Sequence, residues 1–430
     1  MTRAGASTLT PGTGPPVRQV IGGVVGNVLE WYDFAVFGYF APIIGLQFFP
    51  SDDHIASLIN AFGVFAAGYL MRPLGGIIFG NIGDRLGRKR ALQLSIAMMA
   101  LPTTLLGLLP THAQIGATAA LLLVLLRLIQ GVSVGGELIG SISFVTESAP
   151  PHRRGLLGSF SFCTSTGGIL LGSAVATLLR EIMEPATLQA WGWRIPFVAG
   201  FLVGGVGLWM RRSLTETAEF ERAREAGELA RSPLQEALGS MRGRILHVAA
   251  LVLVAGGAFY MLFVWWPVYL THIITPPVPR ALLANTLCMA ALMILMPVGG
   301  WLSDLAGRRT VLVIAIGGLV LAAYPLFVWT DRGTFGSALL TQLAFTILMG
   351  GAAGPIPAAI VEMFPTRTRF IATAVGYNVS VGLFGGTAPL ICTWLATRTG
   401  DLAAPAYYLI AMMLVSLAAA LTWVPARTPR

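Results

Sequence analysis

Two carboxylates, Glu30 and Asp33, stand three residues apart inside a stretch, Val20 to Phe49, that is otherwise apolar and long enough to cross a bilayer. An ionisable group at membrane depth costs about 2.5–3.5 kcal/mol on insertion scales, so it ordinarily faces a cavity and marks a path for substrate, ion or proton. A spacing of three puts both carboxylates on one face of a helix. Groups that take up and release a proton at that depth suggest proton-coupled transport, with a wet cavity beside the first span. The alternative is a pair buried only to hold helices together.

A third carboxylate, Glu137, shares a segment with Arg127, Gln130, Val134 and Ser141. On an ideal helix turning about 100° per residue, these five fall within about 80° of arc. One polar stripe therefore carries an arginine and a glutamate through an apolar segment. Guanidinium presents a rigid fork matched to a carboxylate and keeps its proton. Arg127 is expected to clamp an anionic substrate or to pair with Asp33 or Glu137, and the carboxylates are the groups that titrate. Burial raises a carboxylate's pKa and a neighbouring arginine lowers it. A substrate carboxylate on Arg127 would loosen its hold on Asp33 and favour protonation there. Arg72 reads equally as lining a vestibule or as bonding to backbone carbonyls.

The elements that position these groups follow from composition. Of 430 residues, 55% are hydrophobic and 11% charged, and the mean hydropathy is +0.75. Soluble domains carry about 25% charged residues. The chain is thus read as an all-α membrane protein. Apolar runs bounded by charge, Pro or Gly predict twelve spans: 19–47, 55–81, 91–109, 115–146, 155–179, 194–211, 244–271, 280–302, 310–330, 336–361, 369–397 and 403–424. The formal charge of +9 sits mostly in alternate short loops (Arg85, Arg88, Lys89, Arg90; Arg153, Arg154; Arg308, Arg309; Arg367, Arg369). Cytoplasmic loops are enriched in this way, so both termini are expected inside, in a bacterial inner membrane, and no nucleic-acid partner is needed. Cys163, Cys288 and Cys392 are isolated in apolar segments and support neither disulfides nor a metal site.

Residues 1–18 read as a disordered cytoplasmic tail without a signal peptide, and 425–430 as a short second tail. Between them, 19–211 and 244–424 form two six-helix bundles joined by a charged linker, 212–243. In that linker Ser232-Pro233-Leu234-Gln235 carries a helix-start pattern. The halves repeat. Gly83-Asp84-Arg85-Leu86-Gly87-Arg88-Lys89 matches Ser303-Asp304-Leu305-Ala306-Gly307-Arg308-Arg309, and the loop from Glu147 through Arg153 matches the loop from Glu362 through Arg367. The offsets are 220 residues (Asp84 to Asp304) and 215 residues (Glu147 to Glu362). Parallel six-helix repeats with a site at their interface are a known carrier architecture.

At these motifs the chain resembles the major facilitator superfamily. Arg127-Leu128-Ile129-Gln130-Gly131 resembles that superfamily's fourth-helix motif. Within it, Gly26-Asn27-Val28-Leu29-Glu30-Trp31-Tyr32-Asp33-Phe34, Arg72-Pro73-Leu74-Gly75-Gly76, Gln130 through Glu137, Trp191 through Phe197 and Arg211 through Thr217 resemble the metabolite–proton symporters. That branch includes citrate, α-ketoglutarate, shikimate and proline/betaine carriers. The resemblance implies twelve transmembrane helices in two pseudo-symmetric bundles, with the first, fourth, seventh and tenth lining a central cavity. It implies proton-coupling roles for Asp33, Glu30 and Glu137. Arg127, Gln130, Asn27, Tyr260, Trp266, Gln342, Tyr377 and Asn378 are the substrate candidates. Aromatics in a span commonly serve packing or an interfacial belt, and Trp265 and Trp266, near the outer end of theirs, read equally as that or as a cover for the cavity mouth. Asp84, Arg85, Arg88, Asp304, Arg308, Glu147, Arg153, Glu362 and Arg367 would form gates. Leu138 departs from the branch, which often has Tyr there. The chain also ends at Arg430 without the coiled coil of some osmolyte carriers, which makes an osmosensing role less expected.

The leading expectation is symport of an organic acid, such as a di- or tricarboxylate, with protons, by a monomer in contact with lipid. Proline/betaine symport is the alternative. A drug–proton antiporter is disfavoured because Gly155 to Leu179 lacks that class's proline, and a non-transporting sensor because no long signalling segment is appended. With no P-loop, nucleophile elbow or metal motif, neither an enzyme nor a cofactor is expected beyond the proton as coupling ion. Gly168-x-x-x-Gly172 and Gly382-x-x-x-Gly386 read as close helix contacts.

Overall fold

The computed structural model describes residues 17–86, 88–135, 137–212, 239, 241–330, 333–364 and 369–425. The Ser232-Pro233 helix start, the linker from 213 to 238, and the tails over 1–16 and 426–430 lie outside the described residues. Among those described, all regular structure is helical.

Twelve spans follow one another: α1 (Val17–Phe48), α2 (His54–Phe79), α3 (Arg88–Leu108), α4 (Thr118–Ile142), α5 (Pro151–Ile182), α6 (Gly192–Trp209), α7 (Arg242–Ile273), α8 (Ala281–Ala306), α9 (Arg308–Thr330), α10 (Phe335–Glu362), α11 (Ile371–Arg398) and α12 (Ala404–Leu421). Ten are long and apolar enough to cross a membrane. The helices α1 and α3, of 32 and 21 residues, take the first and third places. The spans expected from hydrophobic runs agree with these to within a few residues. Local signals set several starts. The Asp53 side chain accepts from Ile55 N at 2.9 Å ahead of α2. Thr334 Oγ1 accepts from Ser337 N at 3.1 Å ahead of α10. Both occupy the position where a short polar side chain satisfies an orphan N–H.

The polarity is that of a membrane protein. Leu101, Leu202, Trp209, Ile294 and Leu321 point outward and are well exposed, while Asn27, Asp33, Arg72, Arg127, Gln130, Asn285 and Gln342 are buried. Within the first six helices, α1 packs on α5, α2 on α4 and α3 on α6; within the last six, α8 packs on α10, α9 on α12 and α7 on α11. The two sets meet along α5–α8 and α2–α11. Both glycine repeats serve these contacts. A Cβ on Gly168 would sit 2.4 Å from Val28 O of α1, and one on Gly386 would sit 2.1 Å from Tyr69 Cβ of α2.

One departure matters for the site. The fourth span is not one ideal helix: it runs from Thr118 to Ser133, breaks at Val134 (φ −97°, ψ 48°) and resumes at Glu137. The single polar stripe running from Arg127 through Ser141 is therefore interrupted. The cause is close packing. A Cβ on Gly131 would lie 1.8 Å from Gly68 O, and one on Gly135 would lie 2.1 Å from Gly76 N. Glycines at this crossing bring the backbones of α2 and α4 into contact, so Arg72 and Arg127 both reach α1.

Gly131→Ala should force α2 and α4 apart and destabilise the fold by about 1–3 kcal/mol, as overpacking does. Gly205, with nothing within 4 Å of its missing Cβ, provides a control at which alanine should be neutral. Melting of the detergent-purified variants, followed by size-exclusion chromatography after heating, checks both.

Candidate substrate and proton site

Asp33 lies fully buried at the α1–α4 contact. Arg127 Nη1 donates to its Oδ2 at 2.6 Å, and Gln130 Nε2 donates to its Oδ1 at 3.1 Å. Gln130 Nε2 also donates to Thr103 Oγ1 of α3 at 2.8 Å. The Arg127 guanidinium rests over the Phe37 ring at 4.0 Å from its centroid. One turn of α4 thus delivers both donors to one carboxylate, and the whole constellation belongs to the first six helices. Breaking such a buried pair costs about 3–5 kcal/mol because the remaining charge is stranded.

Glu30 does not face Arg127. Its partner is Arg72 of α2, with Nη2 to Oε1 at 3.3 Å. This settles the open reading of Arg72: it neither bonds to carbonyls nor merely lines a vestibule. Its guanidinium lies 5.3 Å from the Tyr69 ring centroid and 5.7 Å from that of Trp31. Trp31 stacks at 6.1 Å on Tyr260 of α7, and the Tyr69 and Tyr260 hydroxyls are hydrogen-bonded. From α11, Tyr377 and Asn378 line the same cleft as Glu30 and Arg72. Asn378 Nδ2 donates to Gly135 O at the α4 break, at 2.7 Å. This second constellation spans both halves.

Of the other substrate candidates, Asn27 is buried one turn before Glu30, and both ends of its amide lack a partner among the described residues. Gln342 joins a separate polar cluster. It donates to Leu262 O at 3.1 Å and to Asn285 Oδ1, and Asn285 in turn donates to Tyr39 OH at 3.0 Å. Trp266 is buried within the last six helices. It packs edge-on against Phe327 and Phe345 inside the last six helices, while Trp265 Nε1 donates to Thr393 Oγ1 at 2.9 Å. Neither covers a cavity mouth, because both turn into the α7–α12 core. The Glu137 side chain lies outside the described residues.

The expectation that both carboxylates face water is not met in this conformation. Asp33 is 0% exposed and Glu30 5%. A neighbouring cleft is walled by Trp31, Phe162, Thr166, Phe259 and Tyr377 and is too narrow to admit more than a water-sized molecule.

Among the gating candidates, Asp304 accepts from the N–H groups of Gly155 and Leu156 at 2.9 and 2.8 Å, at the start of α5. Arg308 Nη1 donates to Asp304 Oδ1 at 2.5 Å, and Nη2 donates to Glu362 Oε1 at 3.3 Å. A carboxylate on a helix N-terminus is favoured electrostatically, and here it ties the last six helices to the first. Arg153 is exposed and joins no ion pair with a described residue. The side chains of Asp84, Arg85, Arg88 and Glu147, and all of Arg367, lie outside the described residues.

Sequence reasoning did not single out Trp31 and Tyr69, which lie beside the Arg72 guanidinium, Thr103, which bonds Gln130, or Asn285, which bonds Gln342 and Tyr39. Thr103 and Asn285 were legible as polar groups inside apolar spans. The two aromatics carried no signal that separated them from packing residues.

Among the described residues, ten helices long and apolar enough to cross a membrane, together with α1 and α3, surround buried, paired charges, and this defines a polytopic carrier fold. The chain belongs to the Major Facilitator Superfamily, whose sequence profile matches residues 23–377. It is 34% identical over 411 residues to the proline/betaine transporter of Salmonella typhimurium, covering 93% of this chain and 82% of that one. It is 33% identical over 409 residues to a glycine betaine/proline/ectoine/pipecolic acid transporter of Dickeya dadantii, covering 93% and 81%. These relatives are transporters and not enzymes. Among solved structures, the crystal structure of a D-xylose–proton symporter superposes with a TM-score of 0.72 at 20% identity, covering 95% of this chain and 98% of that one. An inward-open xylose transporter from E. coli gives 0.72 at 17%, covering 95% and 96%. Both share the fold.

Arg127→Gln should destabilise more than Arg127→Gln combined with Asp33→Asn, since the double variant leaves no stranded charge. A thermal-melt cycle on the four proteins should show coupling of about 1–3 kcal/mol. Asp304→Asn should weaken the tie to α5 and open that end of the carrier. Labelling of a cysteine introduced at Ser159, beside α8, should rise several-fold over the same cysteine in the parent.

Proposed function

We propose that this chain is a proton-coupled importer of a small zwitterion bearing a carboxylate, of the proline or betaine type. It works as a monomer in a bacterial inner membrane with both termini cytoplasmic. Residues 19–211 and 244–424 rock about the site as two halves joined by the 212–243 linker. The observation that carries this reading is charge balance. Among the described residues, each buried guanidinium of the site already holds a carboxylate, Arg72 with Glu30 and Arg127 with Asp33. Among these described groups a di- or tricarboxylate would meet no surplus of positive charge, and burying it would strand charge at high cost. A molecule with one carboxylate and one cationic nitrogen preserves the balance.

Relatives favour the same order, since the transporters of Salmonella typhimurium, Escherichia coli and Dickeya dadantii that match over 93–94% of this chain are named for proline and betaine. Organic acids, placed first on sequence alone, have no comparable support. Aromatic faces add to the fit, because quaternary ammonium groups bind well among such rings. Trp31, Tyr69, Tyr260 and Tyr377 provide them beside Arg72.

Asp33 is the leading proton carrier, with Glu30 and Glu137 as further candidates. Here Arg127 pairs with Asp33 at 2.6 Å and neutralises it. When turnover separates them, a bare carboxylate in an apolar surround is costly, and a proton removes the charge. The Asp304–Arg308 tie to α5 closes the cytoplasmic end while the site is loaded from outside.

Purified protein in proteoliposomes should accumulate labelled glycine betaine or proline under an inward proton gradient and lose that accumulation with a protonophore. Asp33→Asn should abolish gradient-driven accumulation and retain counterflow exchange. Accumulation of citrate or α-ketoglutarate with neither osmolyte transported would overturn the reading.

A further inference from the structure

Asp33 accepts from two donors, and these differ in what they offer an arriving proton. Arg127 Nη1 faces Oδ2 at 2.6 Å, and a guanidinium can only donate. Gln130 Nε2 faces Oδ1 at 3.1 Å, and an amide can turn over to present its oxygen instead. A proton on Asp33 therefore belongs on Oδ1, where it needs an acceptor. Among the described residues Gln130 is the group in place to accept it, and it does so only with its amide reversed.

Thr103 of α3 opposes that reversal. Its hydroxyl donates to Met99 O at 2.8 Å, one turn back in the same helix, as threonines in helices commonly do. With its proton committed there, Thr103 Oγ1 is left to accept, and Gln130 Nε2 donates to it at 2.8 Å. Gln130 Oε1 is buried with no partner among the described residues, so Thr103 and Asp33 together fix which end of the amide faces α1. Charged Asp33 is served by three linked bonds: Thr103 to Met99, Gln130 to Thr103 and Gln130 to Asp33. Protonated Asp33 would hold the reversed amide, and Thr103 would have to release Met99 O to donate to Gln130 Oε1. The reversal also swings the amide N–H donors to the place where Oε1 now lies unpartnered. Thr103 thus weights the balance toward charged Asp33 by about one hydrogen bond.

The charged and titratable groups packed around Asp33 do not share this role. Arg127 of α4 keeps its proton. Tyr32, on α1 itself, donates to Pro196 O of α6 at 2.9 Å. Tyr69 of α2 and Tyr260 of α7 bond to each other, Arg72 of α2 is held by Glu30, and Arg180 of α5 donates to Tyr39 O at 3.1 Å.

We propose that Thr103 is a positioning residue for proton coupling: by fixing the Gln130 amide with its N–H end toward Asp33, it holds the carboxylate charged until a proton turns the amide over. The inference rests on the reading of Asp33 as proton carrier given above and adds α3 to its machinery. Thr103 makes no hydrogen bond to Asp33 and acts through Gln130.

Counterflow exchange of labelled glycine betaine by the full chain in proteoliposomes, with the same pH inside and out and scanned from acid to alkaline, tests the assignment. Exchange by a proton symporter needs the protonated carrier, so it falls as pH rises through a midpoint. T103V removes the bond that favours the charged form, so the proton should stay to higher pH and the midpoint should rise by about 0.5–1 pH unit. T103S keeps the hydroxyl and should return the midpoint to the parent value. Q130L should also raise it, and T103V added to Q130L should raise it no further. A merely structural Thr103 would lower the exchange rate or the melting temperature and leave the midpoint in place. Should T103V fail to fold, T103A carries the same test. A midpoint that T103V leaves unmoved or lowers, or a T103V shift that persists in the Q130L background, overturns the assignment and leaves Asp33 as the proton carrier. An Asp33→Asn chain that keeps the parent's midpoint, or a parent that exchanges neither glycine betaine nor proline, refutes the function proposed above and this assignment with it.

Discussion

A charge in a low-dielectric interior must find an opposite charge, and α1 carries two that need partners. The geometry around Glu30 and Asp33 follows from that demand. Asp33 takes Arg127 and Gln130 from α4, and Glu30 takes Arg72 from α2. Beside these pairs α2 and α4 cross with their backbones in contact, a Cβ on Gly131 falling 1.8 Å from Gly68 O. Glycines 68, 75, 76, 131 and 135 remove the side chains that would keep them apart. The same crowding breaks α4 at Val134, so the glycines that deliver the arginines also decide where that helix ends.

Contacts between the two halves differ between the two ends of the molecule. At the Arg-rich end, Asp304 binds the start of α5 while Arg308 holds Asp304 and Glu362 in place. Toward the other end, α1 and α2 meet α7 through Tyr39, whose hydroxyl donates to Phe263 O at 2.8 Å, and through the Tyr69–Tyr260 contact. Wide helical turns over Tyr260–Trp265 and Tyr269–Ile273 mark this part of α7. Such turns are frequent where a helix must serve function instead of ideal geometry. One end is held by ion pairs and N–H groups, the other by aromatic rings and hydroxyls. Ion pairs respond to charge and salt, whereas ring contacts respond to what fills the space between them.

Much of this was legible in the chain itself. The spans stood out because about twenty apolar residues between charged loops have few alternatives to a membrane helix. The two loop repeats disclosed the internal duplication, and Asp304 contacts Arg308 and the start of α5. Glu30, Asp33, Arg127 and Gln130 were conspicuous because each is costly where it stands. Trp266 misled for the opposite reason. An aromatic residue in an apolar span costs nothing, so its position carries no information about whether it faces a cavity or a core.

The sequence by itself determined that the chain crosses a membrane repeatedly, that it is built from two related halves, and which side chains are too polar to sit idle in hydrocarbon. Periodicity and transfer cost are local properties, readable one segment at a time. Only the tertiary structure decided who pairs with whom: Glu30 with Arg72, Asp33 with Arg127, Asp304 with the first turn of α5. Pairing depends on how closely helices distant in the chain approach. That distance is set by where small residues coincide on two facing surfaces, which no single segment contains.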